Sequence, residues 1–248
     1  TWQRGQGDLG LSLLNGFTSG LKARFSFCCE IAFSSGVWMM AAMKRMLLVL
    51  TAVLTILSVR AEKTLDIYWV DVEGGAATLM VTPAGQSILI DTGNPGTRDA
   101  GRIHEVATKQ AGLKKIDFLI TTHFHVDHFG GAAPLSQLMP LGKVYDNGIP
   151  VRNPDRNRKD PAFILKVKPY KTMKVDGRVV VKPGATLPLT QIEGAAKVSL
   201  TFVAAARKFI DAPKGAKKNP HSGTVPPMKE DLSDNANSVA SLVTLGGF

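Results

Sequence analysis

A chain of 248 residues that is 44% apolar has room for one large domain or two small ones, so it is neither too short nor too polar to bury a core. Its 30 Lys and Arg against 20 Asp and Glu give a formal charge of +10, and that charge is unevenly spread. The two cysteines, Cys28 and Cys29, are adjacent and lie near the start, which leaves the rest of the chain without a disulfide framework.

Residues 1–35 mix Gly, Ser, Arg and aromatic residues with no sustained period. Then comes Met43-Lys44-Arg45-Met46, an apolar run over 47–57, and Ser58-Val59-Arg60-Ala61. This is the order of a secretory signal: a basic start, an apolar middle, and small residues at Val59 and Ala61, the two positions a signal peptidase reads. The run is short for a membrane span. The sequence therefore predicts a natural start at Met43, non-native upstream sequence over 1–42, and a signal peptide over 43–61. The expected mature chain begins at Glu62, is periplasmic or secreted, and has no stable membrane anchor. From Glu62 onward 24 Lys and Arg stand against 18 Asp and Glu, a net +6.

Residues 65–72, rich in β-branched and aromatic side chains, predict a strand that Glu73-Gly74-Gly75 breaks and 76–82 resumes as a hairpin. After a turn at 83–86, residues 87–90 predict a third short strand that ends at Asp91-Thr92-Gly93. An Asp where a buried strand emerges is placed to accept hydrogen bonds from a loop or to orient a metal-ligating histidine. Residues 99–112 predict a helix, with Ile103, Val106, Ala107 and Ala111 as its apolar stripe and Gly112 as its stop. His104 falls beside that stripe, as a surface or boundary histidine.

The strand predicted over 116–121 delivers the most informative stretch: His123-Phe124-His125-Val126-Asp127-His128, followed by Phe129-Gly130-Gly131. Three of the five histidines fall within six residues here, with an Asp among them. His123 and His125, two apart, can both face one ion from an extended backbone, while Asp127 and His128 can hold a second. Nitrogen and carboxylate donors together favour zinc or another first-row divalent ion.

Beyond the motif, 132–139 predicts a short helix interrupted by Pro134, and 143–146 a strand. The polar stretch 147–160 carries Arg152, Arg156, Arg158 and Lys159 with Asp155 and Asp160 interspersed; it reads as a solvated insertion in preference to a phosphate-binding patch. Residues 162–172 predict a helix, 174–189 short strands around Asp176-Gly177 and Pro183-Gly184, and 198–205 another strand. His221, in a turn-rich segment with Lys214, Lys217 and Lys218, reads as a loop residue. Ser233-Asp234-Asn235-Ala236-Asn237-Ser238 then leads into a last predicted strand over 239–245.

The motif over 123–128 resembles the signature of the metallo-β-lactamase superfamily. The order of strands, Asp-Thr-Gly, helix, strand and histidine cluster is similar to the first half of such a domain. The resemblance covers 65–248 and implies an α/β fold, an αββα sandwich of which this chain holds the N-terminal part, C-terminally truncated. It implies two metal ions, zinc or manganese, with His123 and His125 in the first site and Asp127 and His128 in the second. Asp127 would help orient the attacking water, and Asp91 would steady a ligand. Residues 70–76 further resemble the branch related to the extracellular domain of the bacterial DNA-uptake channel, with departures at Glu73, Gly75 and Ala76. In relatives, a metal-bridging Asp and further histidines follow the last strand, so the resemblance predicts that this chain alone is inactive. The expected chemistry is metal-assisted hydrolysis of a small-molecule or phosphodiester substrate, nucleic acid included. A lactamase, lactonase or thioester hydrolase, and a metal-binding domain without turnover, are the alternatives.

Overall fold

The computed structural model describes residues 63–156, 159–212, 214–217, 220, 221, 223 and 229–247, together with Lys44 and Met46. The upstream segment and all but two residues of the expected signal peptide lie outside the described residues, and the chain divides into units at Thr1–Val59 and Arg60–Phe248. The second unit holds every described strand and the histidine motif.

Its core is a six-stranded sheet of β1 (Asp66–Trp69), β2 (Thr78–Val81), β3 (Ser87–Ile90), β4 (Ile116–Ile120), β5 (Leu141–Asp146) and β6 (Gly177–Val180), in that spatial order. The first two pairings are antiparallel and the rest parallel. Parallel neighbours need crossovers, and the intervening helices provide them. These are α1 (Thr97–Glu105), α2 (Val126–Phe129), α3 (Ala132–Leu138) and α4 (Phe163–Thr172). A second sheet holds β7 (Val198–Ala205) between β8 (Lys208–Phe209) and β9 (Ala240–Leu245).

The period-two pattern of the strands sorts the core into two layers. Leu79, Leu89, Leu119 and Val144 turn to one face of the large sheet, where Ala100, Ile103, Leu135, Phe163 and Tyr170 of the helices cover them. Met80, Ile88, Phe118, Ile120 and Tyr145 turn to the other and meet Leu200, Phe202 and Ala205 of β7. Central strands buried on both faces read as continuous apolar runs, which is why Ile88-Leu89-Ile90 and Phe118-Leu119-Ile120 show no alternation. Each fully buried Leu or Ile contributes roughly 1.5–3 kcal/mol. The fold is therefore mixed α/β, with a helical layer and two facing sheets among the described residues. A second helical layer outside the smaller sheet is not among them, and no helix of the described residues is long and apolar enough to cross a membrane.

Three local expectations are corrected. Pro134 does not interrupt α3, because it stands in the first turn, where its missing N–H has no helical partner to lose. The helix over 99–112 starts earlier and changes character: after Glu105 it continues as π-helix over Val106–Gln110. Gly177 opens β6, pairing with Lys143, instead of forming a turn with Asp176.

Candidate metal centre

The site is built where the parallel strands β3 and β4 end, the usual place for a site on an open α/β sheet. β3 runs out at Ile90, and Asp91 follows with a left-handed backbone (φ 59°) that aspartate tolerates better than most residues. That turn leaves the Asp91 side chain 2% exposed beneath the chain emerging from β4. Its Oδ1 accepts the Thr122 N–H at 2.8 Å, and its Oδ2 accepts the Thr122 hydroxyl at 2.7 Å and His128 Nδ1 at 2.8 Å.

The motif itself has two backbone states. His125 is extended (φ −82°, ψ 142°), and α2 begins at the next residue. The chain therefore carries His123 and His125 on a straight segment and brings His128 back on a helical turn, with the His123 and His128 rings 4.0 Å apart between centroids. Close backbone packing holds this turn. A Cβ on Gly75 would stand 2.3 Å from the Asp127 carbonyl oxygen, and one on Gly131 would stand 2.0 Å from that of Thr92.

Each of the three imidazoles has one nitrogen anchored to an oxygen. His128 Nδ1 donates to Asp91. The Thr122 hydroxyl has a single proton and donates it to Asp91, so at its 3.0 Å contact with His123 Nδ1 it accepts, which leaves the lone pair of His123 on Nε2. His125 Nε2 lies 2.9 Å from Asp155 Oδ1. The remaining nitrogens face one another or the cleft: His123 Nε2 is 3.0 Å from His125 Nδ1, and His128 Nε2 is 3.6 Å from Asp127 Oδ2.

These spacings fit a metal in kind and in pairs. Two donors on one tetrahedral zinc, at bond lengths of about 2.0–2.1 Å, stand roughly 3.3–3.4 Å apart, and both pairs bracket that value. Anchoring of the far nitrogen is also what metal-ligating histidines need. Convergence stops at two donors: among the described residues no group of three His, Cys, Asp or Glu side chains is arranged to hold an ion.

The electrostatics divide the cluster. Burial, helped by the neighbouring His128 and His125, brings the His123 pKa down from 6.5 to about 4, so its ring is neutral near pH 7. Burial also acts to lower the pKa of His128, but the hydrogen bond and charge of Asp91, with Asp127 behind them, outweigh it and raise the pKa overall.

All the residues singled out in the sequence therefore meet here: Asp91, His123, His125, Asp127 and His128. Two others were missed. Asp155 belongs to the stretch read as a solvated insertion, yet its side chain is 9% exposed and touches His125. Asp234 is buried; its Oδ2 accepts the Phe124 N–H at 2.6 Å, between the two histidines, and its Oδ1 accepts Asn237 Nδ2. No local pattern marks Asp155. Its one sequence signal is position, on a segment that leaves β5 at the same end of the sheet as the motif. A cavity of about 230 Å³ lies beside these groups, lined by His125, Asp127, Asn153, Asp155, Asp160 and Lys166 among others; the Lys166 ammonium is 2.7 Å from Asp160.

Comparison with known proteins gives three kinds of likeness. The family model of the metallo-beta-lactamase superfamily matches residues 70–210, more than half of the chain. A "UPF0173 metal-dependent hydrolase" of Cupriavidus metallidurans is 36% identical over 74 residues, 29% of this chain and 22% of that protein. Its counterpart in Cupriavidus taiwanensis is 35% identical over 86 residues, 34% of this chain and 27% of that protein. The chain thus spans about a quarter of the length of the curated relatives it matches. Among solved structures, a diphosphatase from the PhnP family is 22% identical, with a TM-score of 0.30 over 54% of this chain and 45% of that one. The metallo-beta-lactamase FIM-1 from Pseudomonas aeruginosa, in its mono-zinc form, is 14% identical, with a TM-score of 0.31 over 59% and 63%.

Proposed function

Because the chain belongs to the metallo-beta-lactamase superfamily, we propose that His123, His125, Asp127 and His128 are ligands of a metal-dependent hydrolase that acts on a phosphodiester. The observation that carries this reading is the anchoring of all three imidazoles, by Asp91, Thr122 and Asp155, with their other nitrogens left to face one another or the cleft. A solvated histidine-rich loop has no reason to fix three rings in this way. His123 and His125 would hold one ion and Asp127 and His128 a second, with zinc the first choice and manganese the other.

Zinc bound there supplies Lewis acidity, which makes water a nucleophile near neutral pH and stabilises negative charge on a substrate oxygen. The protein's part is positional. Asp91 is a positioning residue, holding His128 through Nδ1 and the Thr122 backbone at once. Asp127, whose side chain is 36% exposed and lines the cavity, would help orient the attacking water. The phosphodiester is favoured by the likeness of residues 70–76 to the DNA-uptake branch, by the mildly basic charge from Glu62 onward, and by Lys166 in the cavity wall. Export by the segment 43–61 is part of the same proposal.

The test uses the complete product of the gene, with bis-p-nitrophenyl phosphate and a chromogenic β-lactam as substrates, with zinc or manganese added. Chelator-sensitive hydrolysis of the phosphodiester that His125→Ala abolishes is expected. Turnover indifferent to chelator or to His125→Ala overturns the assignment; turnover of the β-lactam alone keeps the ligands and replaces the substrate. Residues 62–248 alone, with two donors for each ion where a zinc site takes three or more, are expected to keep less than one zinc per chain through desalting.

A further inference from the structure

The motif accounts for two of the three imidazole anchors, since Asp91 and Thr122 lie on the strand ends that make the site. The third comes from elsewhere. Asp155 reaches His125 from the irregular segment between β5 and α4, and its carboxylate is engaged twice by the same oxygen: Oδ1 lies 2.9 Å from His125 Nε2 and accepts the Asp234 N–H at 2.8 Å. Asp234 in turn holds the Phe124 N–H. The backbone between the two histidines and the ring of the second are thereby referred to one acidic pair. The segment is tied down beside this contact: the Arg156 N–H donates to the Leu232 carbonyl at 2.8 Å, and the Arg156 guanidinium pairs with Glu230.

We infer that Asp155 is a positioning residue for the metal centre: by accepting the Nε2–H of His125 it fixes that ring so that Nδ1, beside His123 Nε2, is the nitrogen offered to an ion. The inference rests on the reading that His123 and His125 share an ion. Its physical content is selective. An imidazole two residues along an extended backbone can turn either nitrogen inward, and the choice of tautomer follows from the hydrogen bond made by the other nitrogen. Asp155 is the carboxylate in contact with the outer nitrogen of His125, as Asp91 is for His128. The two histidines are thus held in opposite senses, His128 with Nε2 inward and His125 with Nδ1 inward, which lets neighbouring rings on one short segment present their donors without overlapping.

Zinc affinity, measured by competition with a chromophoric chelator, and ¹⁵N spectra of the histidine rings with zinc in excess test this on the whole chain. Asp155→Ala is expected to weaken zinc binding about 10- to 100-fold, the usual effect of losing such an anchor. Asp155→Asn, whose amide oxygen can still accept, should recover part of that loss. The ¹⁵N spectrum should show His125 bound through Nδ1 with a proton on Nε2, and a mixture of the two modes in Asp155→Ala. Arg156→Ala loosens the same segment without touching the imidazole and should leave affinity within about twofold. Equal losses in Asp155→Ala and Arg156→Ala, or His125 bound through Nε2 in the unaltered chain, would overturn the inference. The two levels separate cleanly. If His125→Ala leaves zinc affinity unchanged, the shared-ion reading itself is wrong; if His125→Ala abolishes binding while Asp155→Ala matches the unaltered chain, only the role of Asp155 falls.

Discussion

Asp91 and Asp155 each hold a histidine of the motif by a carboxylate oxygen at nearly the same distance, 2.8 and 2.9 Å, but the backbones that carry them differ. Asp91 is the residue on which a central parallel strand ends, so its position follows from the β3–β4 register, Ile90 opposite Ile120. Asp155 stands on irregular chain, and its position depends on contacts that tie one irregular segment to another. A strand end inherits its precision from the whole sheet. A loop has to build its own, one contact at a time, and this one does so with a backbone hydrogen bond and an arginine.

The sharpest way to break the symmetry is at the strand end. Asp91→Ala strands the Thr122 N–H, the Thr122 hydroxyl and His128 Nδ1 together, in a place the sheet cannot relax. It should cost about 3 kcal/mol or more in denaturant unfolding of the metal-free protein, whereas Asp155→Ala, on a more yielding segment, should cost clearly less. Equal costs would mean that the loop is as rigid as the strand end.

An intermediate effect comes from acid. The His123 pKa is about 4 in the folded chain against 6.5 when unfolded, so between those values the unfolded chain binds more protons and stability falls as pH falls. The raised pKa of His128 has the opposite sign: its contribution is complete below the unfolded value and fades as pH rises through the folded one. Chelator-treated protein should therefore unfold at lower denaturant at pH 5 than at pH 7, and His123→Gln should flatten that difference. A variant with an unchanged pH slope would show that His123 is not the group that resists protonation.

The smallest effect belongs to the tie itself. The side chains of Arg156 and Glu230 are both more than half exposed, and solvent screens such pairs so that they add little to stability. Arg156→Ala should move the unfolding midpoint only slightly, and a shift as large as that of Asp91→Ala would show that the two segments fold as one buried unit.

Legibility in the sequence divides along the same line. β3, β7 and the run into the motif were readable because their periods and turn residues are local, and Asp91 could be placed because a strand leads straight into it. Asp155 could not, since Asn153-Pro154-Asp155 looks like any polar turn, and what makes it matter is a contact 30 residues away in the chain. Asp234 is the extreme case: nothing in Ser233-Asp234-Asn235 points beyond its own neighbourhood, and its side chain accepts from a backbone amide 110 residues earlier. Pro134 misled for a different reason, since its effect depends on which helical turn it occupies, and that is set by where Gly131 lets the chain start afresh.

The bond from Asp234 to the Phe124 N–H also orders events in time. Closing a loop of that length costs chain entropy before any contact returns it, so long-range pairings of this kind form late. The histidine cluster is contiguous in sequence and is synthesised early, but two of the contacts that hold it, from Asp155 and Asp234, can form only after the segments before α4 and β9 have been made. The finished centre thus depends on chain far from the motif, and a newly made chain would carry its ligands some time before it could use them.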